Sequence, residues 1–201
     1  MRADRLRQNL ERVRERIGAE VEVLAATKYV EADDLPALAE AGIELVGENR
    51  AQDLLAKQHE HGDLFTWDFI GALQSRKLKE IAPNVRLIHS IASESALRRL
   101  EQNPAPEVLI QVNVAGEDSK EGIDPSELAS YIERCPCPAT GLMTMPPFVE
   151  NPEDNRRHFA RLAELAAEHG LERLSMGTSQ DWEVAVEEGA TIIRLGSTLY
   201  G

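Results

Sequence analysis

Val21-Glu22-Val23-Leu24-Ala25-Ala26-Thr27 is an apolar run of strand length, and it ends on Lys28. A lysine just past a strand stands where the chain leaves the core. Part of its stem can leave water there, which favours the uncharged, nucleophilic amine. An amine of that kind forms Schiff bases with carbonyl compounds. Seven further apolar runs follow, at residues 43–48, 66–71, 86–91, 107–113, 140–145, 173–177 and 191–196. Amphipathic stretches at 32–41, 51–59, 94–101, 125–134, 152–169 and 181–188 lie between them. A recurrence of roughly 20–30 residues suits successive βα units whose right-handed crossovers wrap a parallel sheet.

Eight such units predict an α/β fold, a (β/α)8 barrel of the TIM type, as a single domain over residues 1–201. An open doubly wound sheet is the competing arrangement. No Gly-Xaa-Gly-Xaa-Xaa-Gly follows the first strand, which counts against it. Ahead of the first strand, Leu6, Leu10, Val13 and Ile17 recur at spacings of three and four, so an extra N-terminal helix is expected. The arginines around them are interrupted by Asp4, Glu11 and Glu15, and the stretch lacks the apolar centre of a secretory signal.

Acidic residues outnumber basic ones 35 to 22, a formal net charge of −13 that opposes non-specific binding to nucleic acid. No apolar stretch approaches the roughly 18 residues needed to cross a bilayer. A soluble, cytoplasmic monomer that touches neither nucleic acid nor membrane is the expectation. The two cysteines, Cys135 and Cys137, flank one proline, too close for an unstrained disulfide and too few for a zinc site, so reduced thiols are expected. His59-Glu60-His61 with Asp63 resembles a metal cluster on paper, but alternate residues at a helix end point apart. His89 reads as a hydrogen-bonded packing residue, and Trp67 and Trp182 as packing anchors.

In barrels, chemistry gathers where strands end, and phosphate sites are commonly built by the loops after strands seven and eight. Ser175-Met176-Gly177-Thr178-Ser179 and Arg194-Leu195-Gly196-Ser197-Thr198 fall there. Gly177 and Gly196 would let backbone N–H groups approach a phosphate, the hydroxyls would donate further, and a helix starting near Asp181 could add its positive end. On spacing alone, ordinary turns explain these loops equally well. Closure would place strand eight beside strand one, leaving Lys28 one strand away from Gly196. That reach suits a ligand with an aldehyde at one end and a phosphate at the other, namely pyridoxal phosphate. Lys120, in a polar loop on the same rim, could receive or relay such a ligand.

Several blocks together carry a resemblance. They are Thr27-Lys28 with Val30-Glu31, Gly47-Glu48-Asn49 with Gln52, Phe69-Ile70-Gly71 with Leu73-Gln74 and Lys77, and Gln111-Val112-Asn113 with Ser119-Lys120 and Gly122. Gly141-Leu142-Met143, Leu174-Ser175-Met176-Gly177 with Ser179 and Asp181, and Arg194-Leu195-Gly196 complete them. In this order and spacing the chain resembles the pyridoxal-phosphate homeostasis protein family, whose barrel is like the N-terminal domain of alanine racemase. The resemblance implies that Lys28 holds pyridoxal 5'-phosphate as an internal aldimine. It further implies that Ser175, Gly196 and Ser197 contribute to phosphate binding, that Asn49 lies near the ring and that Arg194 approaches the pyridine nitrogen. A guanidinium there favours a neutral ring nitrogen and hence a weaker electron sink.

Asp68 stands where the family often has histidine, so that histidine's role is absent. Ser197 replaces the usual threonine and keeps the hydroxyl, while contacts of a longer family tail beyond Gly201 are not expected. The implied role is storage, buffering or delivery of the cofactor to apo-enzymes. An amino-acid racemase is the rival, but it needs a proton donor on each face of the substrate, and only Lys28 is evident. A barrel that uses the cradle for a sugar phosphate is a third class.

Overall fold

The computed structural model describes residues 2–116 and 121–201. Its strands are β1 (Glu22–Ala26), β2 (Leu45–Glu48), β3 (Thr66–Phe69), β4 (Leu87–Ile91), β5 (Glu107–Gln111), β6 (Ala139–Met143), β7 (Arg173–Thr178) and β8 (Ile192–Leu195). All pair in parallel in sequence order, and β8 pairs back on β1 to close the barrel. The open-sheet alternative is thereby removed. Each strand lies within about two residues of its apolar run, because strands covered on both faces read as continuous hydrophobic stretches.

Around the barrel lie α1 (Ala3–Arg14), α2 (Leu35–Glu40), α3 (Ala51–His61), α4 (Leu78–Ile81), α5 (Glu94–Leu100), α6 (Leu128–Arg134), α7 (Arg156–Glu168), α8 (Trp182–Glu187) and α9 (Ser197–Tyr200). The amphipathic stretches at 125–134 and 152–169 begin as 3₁₀ turns, Pro125–Glu127 and Pro152–Asn155, before becoming α-helix. A proline in the first turn fits there because it has no N–H to donate. The short α4 and α9 have too few residues to show a period in the sequence.

The extra N-terminal helix is present, with Leu6, Leu10 and Val13 buried. It packs beside α9 and α2: Arg7 donates to Glu40 O at 2.7 Å, Asn9 Nδ2 to Leu199 O at 2.9 Å, and Arg16, just past the helix end, lies over the Trp182 ring at 5.8 Å.

Two apolar layers result. The larger lies between strands and helices, and a smaller ring of Leu24, Leu45, Leu87, Leu109, Met143 and Ile192 fills the barrel itself. Trp67 packs edge-on against Phe65, with centroids 5.8 Å apart, and donates to Gly62 O, as expected of a packing anchor. Cys135 and Cys137 are free thiols, both pushed up by burial. Among the described residues no cluster of three or more His, Cys, Asp or Glu forms a metal site, and no helix is long and apolar enough to cross a membrane.

Candidate functional site

The strand ends open into a cavity of about 990 Å³, at the upper end of the roughly 300–1,000 Å³ usual for ligand sites. Lys28, Asn49, Arg194, Gly196 and Ser197 all line it. The register explains the meeting of the first and last strands. Leu24 pairs with Arg194 and Ala25 with Leu195, so Lys28 leaves the barrel beside the Gly196 turn.

The root of Lys28 is clamped from below. Thr27 Oγ1 donates to Glu48 Oε1 at 2.6 Å, and Lys57 Nζ donates to that same oxygen at 2.5 Å and to Thr27 O at 2.7 Å. Glu48 Oε2 accepts from Asn49 N at 3.2 Å. One buried carboxylate therefore ties together the ends of β1 and β2. The Lys28 side chain, however, is exposed, its Nζ 4.9 Å from the Tyr29 ring centroid. The desolvated stem expected from the sequence is absent, because the amine projects into the open mouth instead of the strand layer.

The loops after β7 and β8 are stitched together by Ser179. Ser179 Oγ accepts from Gly196 N at 2.9 Å and from Thr198 N at 3.2 Å. Two backbone donors thus converge on one oxygen, as they would on an anion's oxygen. A Cβ built on Gly196 meets nothing within 4 Å, so this glycine borders open cavity.

Ser175 lies deeper than its place in the loop motif suggests. It is fully buried inside the barrel and does not line the cavity. Its hydroxyl accepts from Arg194 Nη1 at 2.5 Å and lies 2.8 Å from His89 Nδ1. The reason is the period of the strand: Ser175 is a mid-strand residue of β7, pointing into the barrel one layer below the rim. Gly177 does not line the cavity either. Its φ of +88° accompanies a register shift between Ser175 and Thr178, and a Cβ there would sit 2.6 Å from Ala185 Cβ. It serves a bulge and close packing on α8, and the bulge turns Thr178 and Ser179 toward the cavity. At the start of α8 the Asp181 carboxylate caps no N–H of the helix and instead accepts from Thr178 N at 2.8 Å and from Asn155 Nδ2 at 2.8 Å, tying the turn before α8 to the one before α7.

Below the cavity runs a polar chain that the sequence reading did not assemble. Arg86 donates to Asp68 Oδ1 at 3.0 Å and Oδ2 at 2.7 Å, and to Glu22 Oε1 at 2.5 Å. Asp68 Oδ2 lies 3.1 Å from His89 Nε2. An ionised carboxylate only accepts, so His89 carries its proton on Nε2, which leaves Nδ1 to accept from the Ser175 hydroxyl. Ser175 Oγ is then free to accept from Arg194, and every proton in the chain has one place. Burial holds His89 below its ordinary value despite Asp68, consistent with a neutral ring. Burial also lowers Arg194 to about 10, leaving it a cation at neutral pH. Asp68 is thus the anchor of this chain, and His89 is the hydrogen-bonded packing residue expected.

Two residues of the cavity lining each bury a polar atom, sealed from the cavity, that lacks a partner among the described residues: Asn49 Oδ1 and Tyr200 Oη. Each such orphan costs about 1–3 kcal/mol in the free protein. Lys120 lies outside the described residues.

Comparison with known proteins fits this geometry. The profile of the alanine racemase N-terminal domain family matches residues 1–201. A pyridoxal phosphate homeostasis protein of Aquifex aeolicus is 41% identical, with 98% of this chain and 96% of that protein covered. The chain belongs to this family. Solved structures agree with that placement: PipY of Synechococcus elongatus superposes with a TM-score of 0.89 without pyridoxal phosphate and 0.85 with it bound, at 31% and 32% identity. In each case 98% of this chain and all of PipY are covered. In this member of the pyridoxal phosphate homeostasis family, Lys28 and the Gly196 turn lie side by side, and Asp68 gives the barrel interior a carboxylate.

Proposed function

We propose that residues 1–201 form one domain that binds pyridoxal 5'-phosphate at the strand ends and serves in its intracellular homeostasis by storing, buffering or delivering it. The observation that carries this reading is the juxtaposition of Lys28 with the Gly196 turn on paired strands, around one cavity. The residues suit the group. Lys28 supplies the amine that takes the aldehyde, and the phosphate lies against Ser179, Gly196 and Ser197, which line the cavity at the ends of β7 and β8. Asn49 flanks the ring, and Arg194, held by Ser175 and by Thr144 O at 2.9 Å, faces the ring nitrogen. When bound, the aldehyde supplies a carbonyl that Lys28 can hold covalently and yield to another amine. Ser175 acts through Arg194 and not on the phosphate.

The same geometry disfavours racemisation. The racemase route needs a second proton-transfer group beside Lys28. Tyr200 is the tyrosine whose hydroxyl is buried in the cavity lining, yet burial and the Glu48 carboxylate push it well above the ordinary phenol range. A phenol so raised stays protonated and is a poor base near neutral pH. The relatives' names agree, being those of homeostasis proteins. Delivery to apo-enzymes, a cytoplasmic location and a monomeric state complete the reading, supported by the exposed Lys28 amine and the free thiols.

Absorbance tests it directly. Added pyridoxal phosphate should produce a band at about 420 nm that disappears in Lys28→Ala. A wild-type protein that takes up no cofactor overturns the reading. Transfer to an apo-enzyme no faster than from free cofactor removes the delivery part, and sedimentation at twice the chain mass removes the monomer.

A further inference from the structure

Met145 stands in the lining of the cavity, two residues past the end of β6, and its thioether rests on the Arg194 guanidinium. Arg194 Nη2 donates to Thr144 O at 2.9 Å and to Met145 Sδ at 2.9 Å, while Nη1 donates to Ser175 Oγ at 2.5 Å. These three acceptors differ in strength. A carbonyl and a hydroxyl hold an N–H well, but a thioether sulfur is a weak acceptor. The N–H on Met145 is therefore the most easily yielded of the three, and Arg194 lines the same cavity. Met145 is also open to solutes. It is 46% exposed, whereas Met143 and Met176, at 2% and 0%, are sealed in the core.

We propose that Met145 is a modification site, a sulfur that a hydroperoxide converts to the sulfoxide, which then weakens the hold of the cavity on its ligand. This rests on the proposed cofactor reading, in which Arg194 faces the ring nitrogen. The sulfur attacks one peroxide oxygen: an S–O bond forms, the O–O bond breaks, and the proton on the transferred oxygen passes to the leaving one. Sulfur is oxidised by two electrons, and the peroxide is reduced to water or an alcohol. The product sets a strongly polar S=O oxygen beside Arg194 Nη2. An oxygen acceptor next to a cation makes a charge-assisted hydrogen bond, so it keeps the N–H that the thioether would have yielded. A ring nitrogen then meets an occupied donor, and the added oxygen also takes up room in the lining.

The test treats wild type and Met145→Leu with hydrogen peroxide, removes the reagent, and then adds dithiothreitol, which reverses sulfenic acids and disulfides at Cys135 and Cys137 but leaves a methionine sulfoxide in place. Fragment-ion mass spectrometry reads which methionine gained an oxygen. Titration with pyridoxal 5'-phosphate reads the affinity of each protein against its own untreated sample. Wild type should carry the oxygen on Met145 and not on Met143 or Met176. It should lose roughly tenfold in affinity, the scale of one hydrogen bond to a charged group, and recover it with methionine sulfoxide reductase. Treated Met145→Leu should keep its untreated affinity. Oxygen on Met143 or Met176 ahead of Met145 overturns the proposal. Oxidised Met145 with unchanged affinity overturns it, as does an equal loss in Met145→Leu, and each of these results leaves the cofactor reading standing. Failure of untreated wild type to bind pyridoxal phosphate overturns the cofactor reading, and this proposal with it.

Discussion

Asp68→Asn is the sharpest perturbation available, because one fully buried carboxylate holds both ends of the interior chain. Asp68 accepts two hydrogen bonds from Arg86 and one from His89. The amide keeps one acceptor oxygen, but its NH2 group points a donor at another donor. Removing one partner of a buried ion pair costs about 3–5 kcal/mol. Here the loss should be smaller, since Arg86 is 28% exposed and keeps Glu22. We expect about 2–3 kcal/mol, read as a lower urea midpoint with an unchanged slope. For a chain of this size that is a drop of roughly 4–12 °C in Tm. A second readout follows the chain upward. In the Asp68→Asn variant the proton on His89 is no longer fixed at Nε2, so Ser175 loses its assigned role and Arg194 its anchor, and pyridoxal phosphate affinity should fall severalfold. Unfolding within about 0.5 kcal/mol of wild type, the range of neutral surface changes, would refute the reasoning that Asp68 anchors this network.

Other outcomes follow from the same geometry. His89 is held below its ordinary value by burial, so the unfolded chain binds a proton that the folded one refuses. Stability should fall as pH drops through the unfolded histidine range at about 6.5, with a slope of at most about 1.4 kcal/mol per pH unit from this group. Equilibrium unfolding of wild type against His89→Gln from neutral to acid pH checks the sign, and a variant with the same pH slope would refute it. Lys57→Met should destabilise by about 3–5 kcal/mol, because it strands the fully buried Glu48, and adding Glu48→Gln should recover part of that loss in a urea titration. Ser179→Ala removes the oxygen on which Gly196 N and Thr198 N converge, and should weaken binding of pyridoxal phosphate more than that of pyridoxal in parallel dialysis.

The barrel was legible because its eight strands are covered on both faces. Short apolar runs separated by amphipathic stretches have few other three-dimensional solutions. The N-terminal helix was legible for a similar reason, through the spacing of Leu6, Leu10 and Val13. Depth within a strand was not legible. Ser175 and Ser179 look alike in the sequence, yet the alternation of side chains sends Ser175 into the barrel, and the bulge at Gly177 turns Ser179 toward the rim. A stricter count of strand residues would have flagged Ser175 as interior. Nothing local could have flagged the chain from Arg86 to Arg194, whose members come from β3, β4, β7, β8 and the residue before β4.

The linear sequence by itself determined the repeat, the amine at the end of the first strand and the glycine turn after the last. These are properties of single segments, written in local hydrophobicity and residue type. Closure was decided only in three dimensions: Leu24 pairs with Arg194 because the barrel brings residue 24 to residue 194. Tertiary structure also decided that Asp68, Ser175 and His89 form one hydrogen-bonded line, that Lys28 stands in the open, and that the Tyr200 hydroxyl lies buried without a partner among the described residues. Those outcomes depend on which side chains meet across the barrel, and the meeting distances are set by strand register, which no single segment encodes.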